Sequence, residues 1–451
     1  MSRRPNPVRH HAHRVVVVGG GAGGIELVTR LGDYYRRHTR AGHVSVTLVD
    51  QARFHVWKPL LHEVAAGALD ANQAGLDYAV HAHRHGFQFC WGPLVGLDRT
   101  KRIVTIGPVD DPYGNPLYAT RQLPYDTLVL ALGSTTNFFA VTGAQAHAFA
   151  LDSIQDADRL RSALIALCAR AERGGTGQDG ARVRIAIVGG GATGVELAAQ
   201  MRDSLQALSD YRLHRLDVER DISITVVEAG PRILPPLSEQ VAGSAAALLG
   251  KYGVAIRTQS QVREVTERGL IFADDSFLQA DLVVWAAGIK ALPVLTQLDG
   301  LSTGEKGQVV VLDTLQAKND SNVFALGDCA QCRWHSKAGF VPPRAQAAHQ
   351  QAAFLFKALA LRIRQGGNNG LASFRYRDFG SLVSLGRLGA VGNLMGRLVG
   401  GKLFIDGVIA RLMYVSLHQL HVVALHGWIV TLADALSHLL RRPITPRIKL
   451  H

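Results

Sequence analysis

Two glycine-rich segments carry the residues whose spacing most directly indicates a chemistry. Residues 15–31 read VVVVGGGAGGIELVTRL, and residues 185–201 read IAIVGGGATGVELAAQM. Each segment has a β-branched run, then Gly-x-Gly-x-x-Gly, then the start of an apolar-periodic helix. Such a strand–turn–helix unit places unpaired backbone N–H groups against a pyrophosphate. One copy is a weak signal, but two copies about 170 residues apart predict two dinucleotide-binding folds in one chain.

The first segment contributes Gly19, Gly21 and Gly24 as candidate phosphate-binding residues. They are expected to make the tight turn, to let the backbone approach the ligand and to allow close helix–strand packing. Asp50 ends the next apolar strand, where a carboxylate can accept hydrogen bonds from ribose hydroxyls. Asp50 follows Gly24 by 26 residues, which is longer than usual. We therefore expect an extended helix–strand link over residues 34–42.

The second segment contributes Gly189, Gly191 and Gly194 in the same roles. Glu228 ends the matching strand. A carboxylate there accepts from a ribose 2′-OH and repels a 2′-phosphate, so the sequence favours NAD over NADP. Arg232, four residues further on, could soften that preference.

Three other polar residues are candidates for the reaction itself. Glu196 is the first acid in the second glycine-loop helix, where it could either stabilise the helix through its dipole or face a nicotinamide. Glu26 is its counterpart in the first helix and is expected on the flavin side. Gln346 and Gln350 are spaced i, i+4 after two prolines, so both amides share one helix face. By periodicity alone such glutamines are usually solvated, although an amide pair can hydrogen-bond the carbonyls of a flavin or a quinone.

The segment LGDCAQC follows another apolar strand and contains Asp328, Cys329 and Cys332. Gly327 and Asp328 are placed to meet the ribityl and phosphate groups of a flavin. The C-x-x-C pair could be a redox dithiol. We favour two small packed thiols, because a dithiol that serves a flavin must reach its reactive ring.

Composition narrows the class of protein. The chain has 451 residues, a formal net charge of +13 and four cysteines. The charge permits a nucleic-acid or an anionic membrane partner, and we favour the lipid surface because no nucleic-acid-binding module is recognisable. So few cysteines argue against a disulfide-framed secreted protein or an iron–sulfur protein. The basic leader, residues 1–13, lacks the apolar region of a signal peptide. Its His10, His11 and His13 could bind a metal, but we expect a frayed, solvated leader and predict no metal site.

The C-terminal region differs in character from the rest. The segment from Leu412 to Ala433 contains no formally charged residue, and it is long enough to span a bilayer. Several histidines and Gly427 interrupt the stretch, so a pair of amphipathic helices lying in the interface fits better, with basic residues for anionic headgroups. A core or dimer contact and a true span remain alternatives. The apolar residues at helical spacing are Phe404, Ile405, Val408, Ile409, Leu412, Val415 and Leu420, and a second helix is expected from Trp428 to Leu440.

These patterns predict an α/β fold with two Rossmann-like dinucleotide-binding domains, the second inserted in the first, and a C-terminal amphipathic helical membrane-anchoring region. The first domain is expected at residues 14–150 and 300–370. The inserted domain is expected at residues 151–299, and the C-terminal region at residues 371–451. A helix is expected around Ile154–Arg173.

Longer motifs give the chain a specific resemblance. It resembles the type II NADH dehydrogenases, the single-subunit, non-proton-pumping NADH:quinone oxidoreductases of respiratory membranes, from about residue 14 to 440. The motifs that carry the resemblance are VDQARFHVWKPLLHEVAAGALD (49–70), YDTLVLALGSTTNFF (125–139), GGGATGVELA (189–198), VVEAGPRILP (226–235), VVWAAGIKA (283–291), VFALGDCAQC (323–332) and AQAAHQQA (345–352).

The resemblance implies a set of site residues and partners. Non-covalent FAD would be lined by Gly19, Gly21, Gly24, Asp50, Lys58, Ser134 and Asp328. NADH would be bound by Gly189, Gly191, Gly194, Glu196 and Glu228. Gln346 and Gln350 fall on the family's A-Q-x-x-x-Q-Q quinone motif, and Glu196 would lie where nicotinamide, flavin and quinone meet, as a candidate proton relay. The implied location is peripheral, on the cytoplasmic face of a bacterial inner membrane, with a membrane quinone as substrate.

Two rival functions stay open on the sequence. A sulfide:quinone oxidoreductase shares the two-domain plan, but it needs two cysteines flanking the flavin ring. A redox sensor that binds NADH and FAD without turnover would keep both glycine loops. The sequence leaves open which quinone is used, whether the chain forms a homodimer, and whether a ternary complex or a ping-pong order applies.

Overall fold

The computed structural model describes most of the chain. The described residues are 12–38, 43–69, 75–173, 183–210, 217–367, 370–386, 389–396, 401–406, 422–425, 427–428 and 431–432. They belong to two compact units. The first unit takes its residues from Met1–His55, Gly75–Thr135 and Lys290–Tyr376, and the second from Val56–Ala74, Thr136–Ile289 and Arg377–His451.

The helices are numbered in chain order. They are α1 (Ala22–His38), α2 (Leu61–Ala65), α3 (Tyr78–His85), α4 (Ala144–His147), α5 (Ile154–Arg173), α6 (Ala192–Asp210), α7 (Val218–Asp221), α8 (Glu239–Lys251) and α9 (Ala345–Gln365). Three short 3₁₀ turns cover Lys58–Leu60, Pro293–Gln297 and Gly327–Cys329. The expected helix over Ile154–Arg173 is thus present as α5.

The strands are short and numerous. In the first half they are β1 (His13–Val18), β2 (Val44–Asp50), β3 (Phe54–His55), β4 (Leu76–Asp77), β5 (Gln88–Trp91), β6 (Leu94–Asp98), β7 (Ile103–Ile106), β8 (Val109–Asp110), β9 (Pro116–Tyr118), β10 (Arg121–Pro124), β11 (Thr127–Leu130), β12 (Thr135–Thr136), β13 (Val183–Val188) and β14 (Ile222–Val227). The remainder are β15 (Val254–Arg257), β16 (Val262–Thr266), β17 (Gly269–Phe272), β18 (Phe277–Gln279), β19 (Leu282–Trp285), β20 (Ile289–Lys290), β21 (Val309–Val310), β22 (Gln316–Ala317), β23 (Asp320–Ala325), β24 (Ala330–Gln331), β25 (Gly380–Ser384), β26 (Ala390–Gly396) and β27 (Gly401–Asp406).

The first unit is built on a six-stranded sheet in the order β22-β23-β11-β1-β2-β5. All pairs are parallel except β22 with β23. Val15–Val18 are buried because β1 lies inside the sheet, which explains the unbroken β-branched run. The carboxyl ends of parallel strands meet at one edge, so β1 and β2 bring the first glycine loop and Asp50 together.

The second unit repeats this plan with four parallel strands in the order β15-β14-β13-β19. Residues 183–188 form the central strand, and Glu228 follows β14 just as Asp50 ends β2. Each unit also carries a three-stranded antiparallel sheet, β10-β7-β6 in the first and β16-β17-β18 in the second. Both expected dinucleotide-binding folds are therefore present.

Three segments fall in a different unit from the expected domain: residues 56–69 and 136–150 lie in the second unit rather than the first, and residues 290–299 lie in the first rather than the second. Residues 56–69, expected within residues 14–150 of the first domain, pack in the second unit, where α2 contacts α5 and α6. The reason is the apolar surface of α2, since Leu61, Val64 and Ala65 are buried in the hydrophobic core of that unit. The other domain boundaries stay predictions.

Two N-terminal expectations are corrected. His13 is the first residue of β1 rather than the end of a frayed leader, and its Nε2 lies 2.9 Å from Thr127 Oγ1; His10 and His11 fall outside the described residues. The expected link over residues 34–42 is shorter, because α1 continues to His38. Packing accounts for the extra helical turn, since the Tyr34 ring contacts the Phe356 ring of α9 at 5.7 Å between centroids.

The C-terminal region differs from the helical expectation where it is described. Phe404 and Ile405 lie in β27, which pairs antiparallel with β26, so backbone pairing prevails there over helical periodicity. Residues 422–425, 428 and 431–432 are helical, with Gly427 at φ +78° between them. The remaining positions of the two predicted helices, including Val408, Ile409, Leu412, Val415 and Leu420, lie outside the described residues. Among the residues described, none of the helices combines the length and apolar character that crossing a membrane requires.

Candidate functional site

The first glycine loop has the geometry that a dinucleotide pyrophosphate requires. Gly19 has φ +105°, and a Cβ there would overlap the carbonyl of Ala131. A Cβ on Gly24 would overlap the Gly19 carbonyl oxygen, so this glycine allows α1 to pack on β1. Beside Gly21, in contrast, a Cβ would meet no protein atom within 4 Å. That open space at the start of α1 is where a phosphate could approach the backbone.

Asp50 holds the glycine loop with one carboxylate oxygen and its own turn with the other. Its Oδ2 accepts the Gly20 N–H at 2.6 Å, and its Oδ1 accepts the Ala52 N–H at 2.7 Å. The Gly20 carbonyl accepts from two buried side chains, Tyr78 Oη and His55 Nδ1, each at 2.8 Å. Burial lowers the pKa of His55 to about 4, so this imidazole is neutral and its Nδ1 carries the proton. The loop is therefore held in place on both sides.

Asp328 faces the same edge of the first sheet from another element. The Ser134 hydroxyl donates to Asp328 Oδ2 at 2.8 Å, which joins two predicted flavin residues. The Gly327 N–H donates to the buried side chain of Gln351 on α9 at 2.7 Å. Gln351, the last glutamine of the AQAAHQQ motif, thus positions the Asp328 turn. Lys58, predicted to line the flavin, is exposed and belongs to the second unit.

The cysteine pair has the properties of packed thiols. Cys329 and Cys332 are both buried and free, and burial raises the pKa of each to about 11. The Cys329 thiol donates to backbone carbonyls, including that of Leu326 at 3.2 Å. A nucleophilic dithiol needs a thiolate at working pH, so neither cysteine is suited to attack sulfur or a disulfide. Within the described residues, no group of three or more His, Cys, Asp or Glu side chains is arranged to hold a metal.

The second glycine loop repeats the first in detail. Gly189 has φ +113°, a Cβ on Gly194 would overlap the Gly189 carbonyl, and a Cβ on Gly191 would meet open space. Glu228 Oε2 accepts the Gly190 N–H at 2.8 Å, while Oε1 accepts the Gly230 N–H at 2.7 Å. One difference is that the Gly190 carbonyl accepts from a backbone N–H, that of Leu234 at 2.7 Å.

The guanidinium of Arg232 is hydrogen-bonded to backbone carbonyls. It donates to three carbonyl oxygens at 2.9–3.0 Å, those of Leu234, Pro235 and Leu237. Its donors therefore stabilise the turn after Glu228. A 2′-phosphate would have to compete with those carbonyls for the guanidinium, so the local geometry favours NAD.

Glu196 is a buried carboxyl on α6. The Ser384 N–H donates to its Oε1 at 3.0 Å, and its Oε2 lies 3.9 Å from Nδ1 of His62 on α2. Burial raises the pKa of Glu196 to about 8; the Ser384 hydrogen bond opposes this rise, and the charge of Glu63 adds to it. Burial also lowers the pKa of His62 to about 4. At neutral pH the pair is thus a protonated carboxylic acid beside a neutral imidazole.

The counterpart Glu26 has a different environment. It is fully buried, and its carboxylate pairs with Arg30 at 2.7 Å and with His349 Nδ1 at 2.6 Å. His349 belongs to α9, between Gln346 and Gln350. Glu26 therefore ties α1 to α9 in the first unit. Gln346 and Gln350 are half-buried, and both lie in α9, which begins at Ala345 directly after the prolines as expected.

Several residues of these sites were not found from the sequence. Tyr78, His55 and Gln351 hold loop backbone from elements outside the glycine motifs, and no spacing rule connects them to those loops. His62 lies beside Glu196 for the same reason. Two resemblance motifs were the signals: FHVWKPLLHE contains both histidines and AQAAHQQA contains Gln351, but neither motif gives these residues a role.

Comparisons with known proteins agree with this geometry. The family model for pyridine nucleotide-disulphide oxidoreductases matches residues 13–352. A type II NADH:quinone oxidoreductase of Haemophilus influenzae is 40% identical over 449 residues, covering 97% of this chain and 99% of that protein.

Solved structures show the same fold. The structure of NDH2 from Plasmodium falciparum in complex with NADH aligns with a TM-score of 0.75 at 18% identity, over 90% of this chain and 94% of that one. The sulfide:quinone oxidoreductase of Aquifex aeolicus aligns with a TM-score of 0.70 at 15% identity, over 95% of each chain. The shared fold does not separate these two activities, since function is determined by the site rather than by the fold.

Proposed function

This chain belongs to the type II NADH:quinone oxidoreductases, and we propose on that premise how its residues divide the reaction. The protein is a flavin-dependent enzyme that uses NADH and FAD. Its net reaction is NADH + H⁺ + quinone → NAD⁺ + quinol. Bound FAD would supply the two-electron chemistry between NADH and the quinone, while the protein supplies binding, orientation and protons.

We assign FAD to the first unit. The open space beside Gly21, the start of α1 and the carboxylate of Asp50 suit a pyrophosphate followed by an adenosine ribose. Ser134 and Asp328 would contact the ribityl end. Lys58 is retained as a flavin contact on the strength of the resemblance. The observation that carries the assignment is the hydrogen bond from the Ser134 hydroxyl to Asp328 Oδ2 at 2.8 Å, which joins the two residues expected at the ribityl end within the first unit.

We assign NADH to the second unit. Gly191 leaves the phosphate space open, and Glu228 would accept from the ribose 2′-OH. Glu196 lies in the helix that begins at this loop. We propose that it holds a proton for the quinone, because a carboxyl group with a pKa near 8 can both donate and recover a proton near neutral pH.

We propose a quinone site at Gln346 and Gln350, reached from a membrane surface. The two amides are i, i+4 on α9 and can hydrogen-bond quinone carbonyls. Trp428 and Leu432 are 68% and 64% exposed and four residues apart, which suits contact with acyl chains. The net charge of +13 suits anionic headgroups. We therefore propose peripheral binding at the cytoplasmic face of a bacterial inner membrane.

An anaerobic titration of the purified yellow protein tests the assignment. NADH should bleach the flavin absorbance, and a short-chain ubiquinone analogue should restore it. Sulfide, added to a separate sample, should cause no bleaching, since the buried Cys329 and Cys332 are thiols at neutral pH. Bleaching by sulfide without bleaching by NADH would move the chain to the sulfide-oxidising relatives. Binding of NADH without bleaching would favour a sensor.

A further inference from the structure

An imidazole lies between two carboxyl groups in the second unit. His62 Nδ1 is 3.9 Å from Glu196 Oε2, and His62 Nε2 is 4.0 Å from Glu63 Oε1. Glu196 and His62 are both buried, with side-chain exposures of 10% and 4%, whereas the Glu63 side chain is 28% exposed. The three side chains therefore form a row that runs from the surface of the unit to the buried carboxyl.

The net reaction takes up one proton from water in each turnover, and a row of titratable side chains can deliver it. A hydride is formally two electrons and one proton, whereas reduction of a quinone to a quinol takes two electrons and two protons. One proton must therefore enter from water in each turnover. A buried carboxyl that gives its proton to the quinone has to recover it along a path of groups that can accept and release protons.

We propose that His62 is the relay residue that carries this proton from Glu63 and solvent to Glu196. This inference rests on the proposed function of Glu196. In the step, one ring nitrogen of His62 gains a proton from the Glu63 side as the other ring nitrogen releases its proton to the Glu196 carboxylate. One N–H bond and one O–H bond form as one N–H and one O–H break, so the net change is a single proton moved inward.

The two ring nitrogens of His62 face different carboxyl groups, which suits a concerted proton transfer. Burial lowers the pKa of His62 to about 4, so the ring is neutral between turnovers and transfers the proton by exchanging tautomers. The carbonyl of Pro59 accepts a hydrogen bond from the imidazole, and this hydrogen bond has to open when the ring exchanges tautomers. The gaps of 3.9 and 4.0 Å exceed a direct hydrogen bond by about 1 Å, and such contacts commonly tighten when substrates bind.

Several other charged side chains of the helices that pack on α2 have partners of their own. On α6, Arg202 donates to four backbone carbonyls, and Asp203 accepts from Tyr252. On α5, two arginines pair with aspartates one turn away, namely Arg159 with Asp156 and Arg161 with Asp158. Glu63 lies beside the ring nitrogen of His62 that does not face Glu196.

The test is a stopped-flow comparison of His62→Gln with the parent holoenzyme. Glutamine keeps the size and polarity of the site but cannot exchange protons at neutral pH. Reduction of the flavin by NADH should keep its parent rate. Reoxidation by the ubiquinone analogue should slow about tenfold, and its solvent deuterium isotope effect should rise, because proton delivery becomes limiting. A purely structural role would lower the rate without raising the isotope effect.

Two further variants complete the comparison. Glu63→Gln alters the partly exposed end of the row and should also raise the isotope effect, with a rate loss of about threefold. It decides the question if His62→Gln does not fold. The control is His81→Gln, the same change at a buried histidine of the first unit whose Nε2 lies 2.8 Å from Thr29 Oγ1. We expect the kinetics of the control to match the parent.

Each outcome has a defined meaning. A raised isotope effect in His62→Gln, with normal reduction by NADH, supports the relay, and a raised isotope effect in Glu63→Gln supports it if His62→Gln does not fold. Parent-like reoxidation and isotope effects in both variants overturn it, even though the enzyme remains an NADH:quinone oxidoreductase. Failure of NADH to bleach the parent flavin would instead contradict the proposed function itself.

Discussion

Glu196 is a buried carboxyl whose environment bears directly on its proposed role as a proton donor. Its Oε1 accepts the Ser384 N–H, and burial holds the pKa of its carboxyl at about 8. We expect Glu196→Gln to lower quinone-dependent turnover by about 100-fold, since a positioned acid commonly contributes that much. FAD should remain bound, because the first glycine loop lies in the other unit.

The pH profile gives this prediction a second readout. In the parent enzyme the quinone-reduction rate should fall as the pH rises through about 8, because the proton-donating form of Glu196 is lost there. The Gln variant should lack that decline. Steady-state turnover measured on both sides of this pKa, with flavin content as the control, checks both statements. An unchanged rate in the variant would remove the proton-holding role.

Asp50 and Glu228 allow a matched pair of substitutions. Each carboxylate accepts two loop N–H groups, and an amide would turn a donor toward one of them. Asp50→Asn should therefore lose flavin during gel filtration while its second unit still binds NADH. Glu228→Gln should retain flavin and raise the KM for NADH about tenfold, the equivalent of one weakened hydrogen bond. Loss of flavin in both variants would contradict the division of the two nucleotides.

At this scale, sequence reasoning located the residues that belong to a spaced motif. Asp50 and Glu228 could be found because a carboxylate at the end of the second strand is part of the dinucleotide pattern. Tyr78 and His55 could not, since they reach the Gly20 carbonyl from segments with no fixed distance to the loop. Contacts of this kind arise only when the chain is folded.

At the scale of elements, two glycines of the same loop have different tasks. A Cβ on Gly24 would overlap the Gly19 carbonyl oxygen, whereas a Cβ on Gly21 would meet no protein atom within 4 Å. Gly24→Ala should therefore destabilise the first unit by separating α1 from β1. Gly21→Ala should leave the unfolding temperature of the FAD-free protein close to that of the parent, yet weaken FAD binding.

Thermal unfolding with and without added FAD separates the two effects. In the second unit, Gly194→Ala and Gly191→Ala should repeat the pattern with NADH as the ligand, because the same overlap and the same open space recur there. If Gly24→Ala and Gly21→Ala destabilised the FAD-free protein equally, Gly21 would have a packing role instead.

The elements differ in how well the sequence specified them. The strands and helices of the two glycine motifs were predicted because buried parallel strands and loop-bound helices have strong local patterns. The hairpin of β26 and β27 was not, because Phe404 and Ile405 fit an apolar helical period equally well. Pairing with a neighbouring strand is a non-local contact, and it decides between such alternatives without leaving a local trace.

At the scale of the molecule, buried titratable groups should make the free energy of unfolding depend on pH between about 4 and 8. The pKa of Glu196 is raised from 4.5 to about 8, so the folded state loses stability as the pH rises through that interval. His55 and His62 have pKa values lowered from 6.5 to about 4, so stability is lost as the pH falls through that range. Denaturant unfolding should show Glu196→Gln losing less stability than the parent as the pH rises from 4.5 to about 8. Parallel losses over that interval would assign the decline to another group.

The net charge of +13 predicts how the whole protein meets a membrane. It should float with vesicles that contain anionic lipid and remain unbound with purely zwitterionic vesicles, because headgroup attraction adds to apolar insertion. Raised salt should weaken that binding through screening. Binding that ignores both lipid charge and salt would point to insertion without an electrostatic contribution.

The order of strands in the first sheet also has a consequence for synthesis on the ribosome. Strand β11 ends at Leu130, but its neighbour β23 begins only at Asp320, about 190 residues later. All four strands of the second sheet lie between Val183 and Trp285. Because translation proceeds from the N-terminus and long-range pairing is slow, the second sheet can form while the first sheet still lacks an edge. The enzyme would therefore become competent for FAD only in the last third of its synthesis.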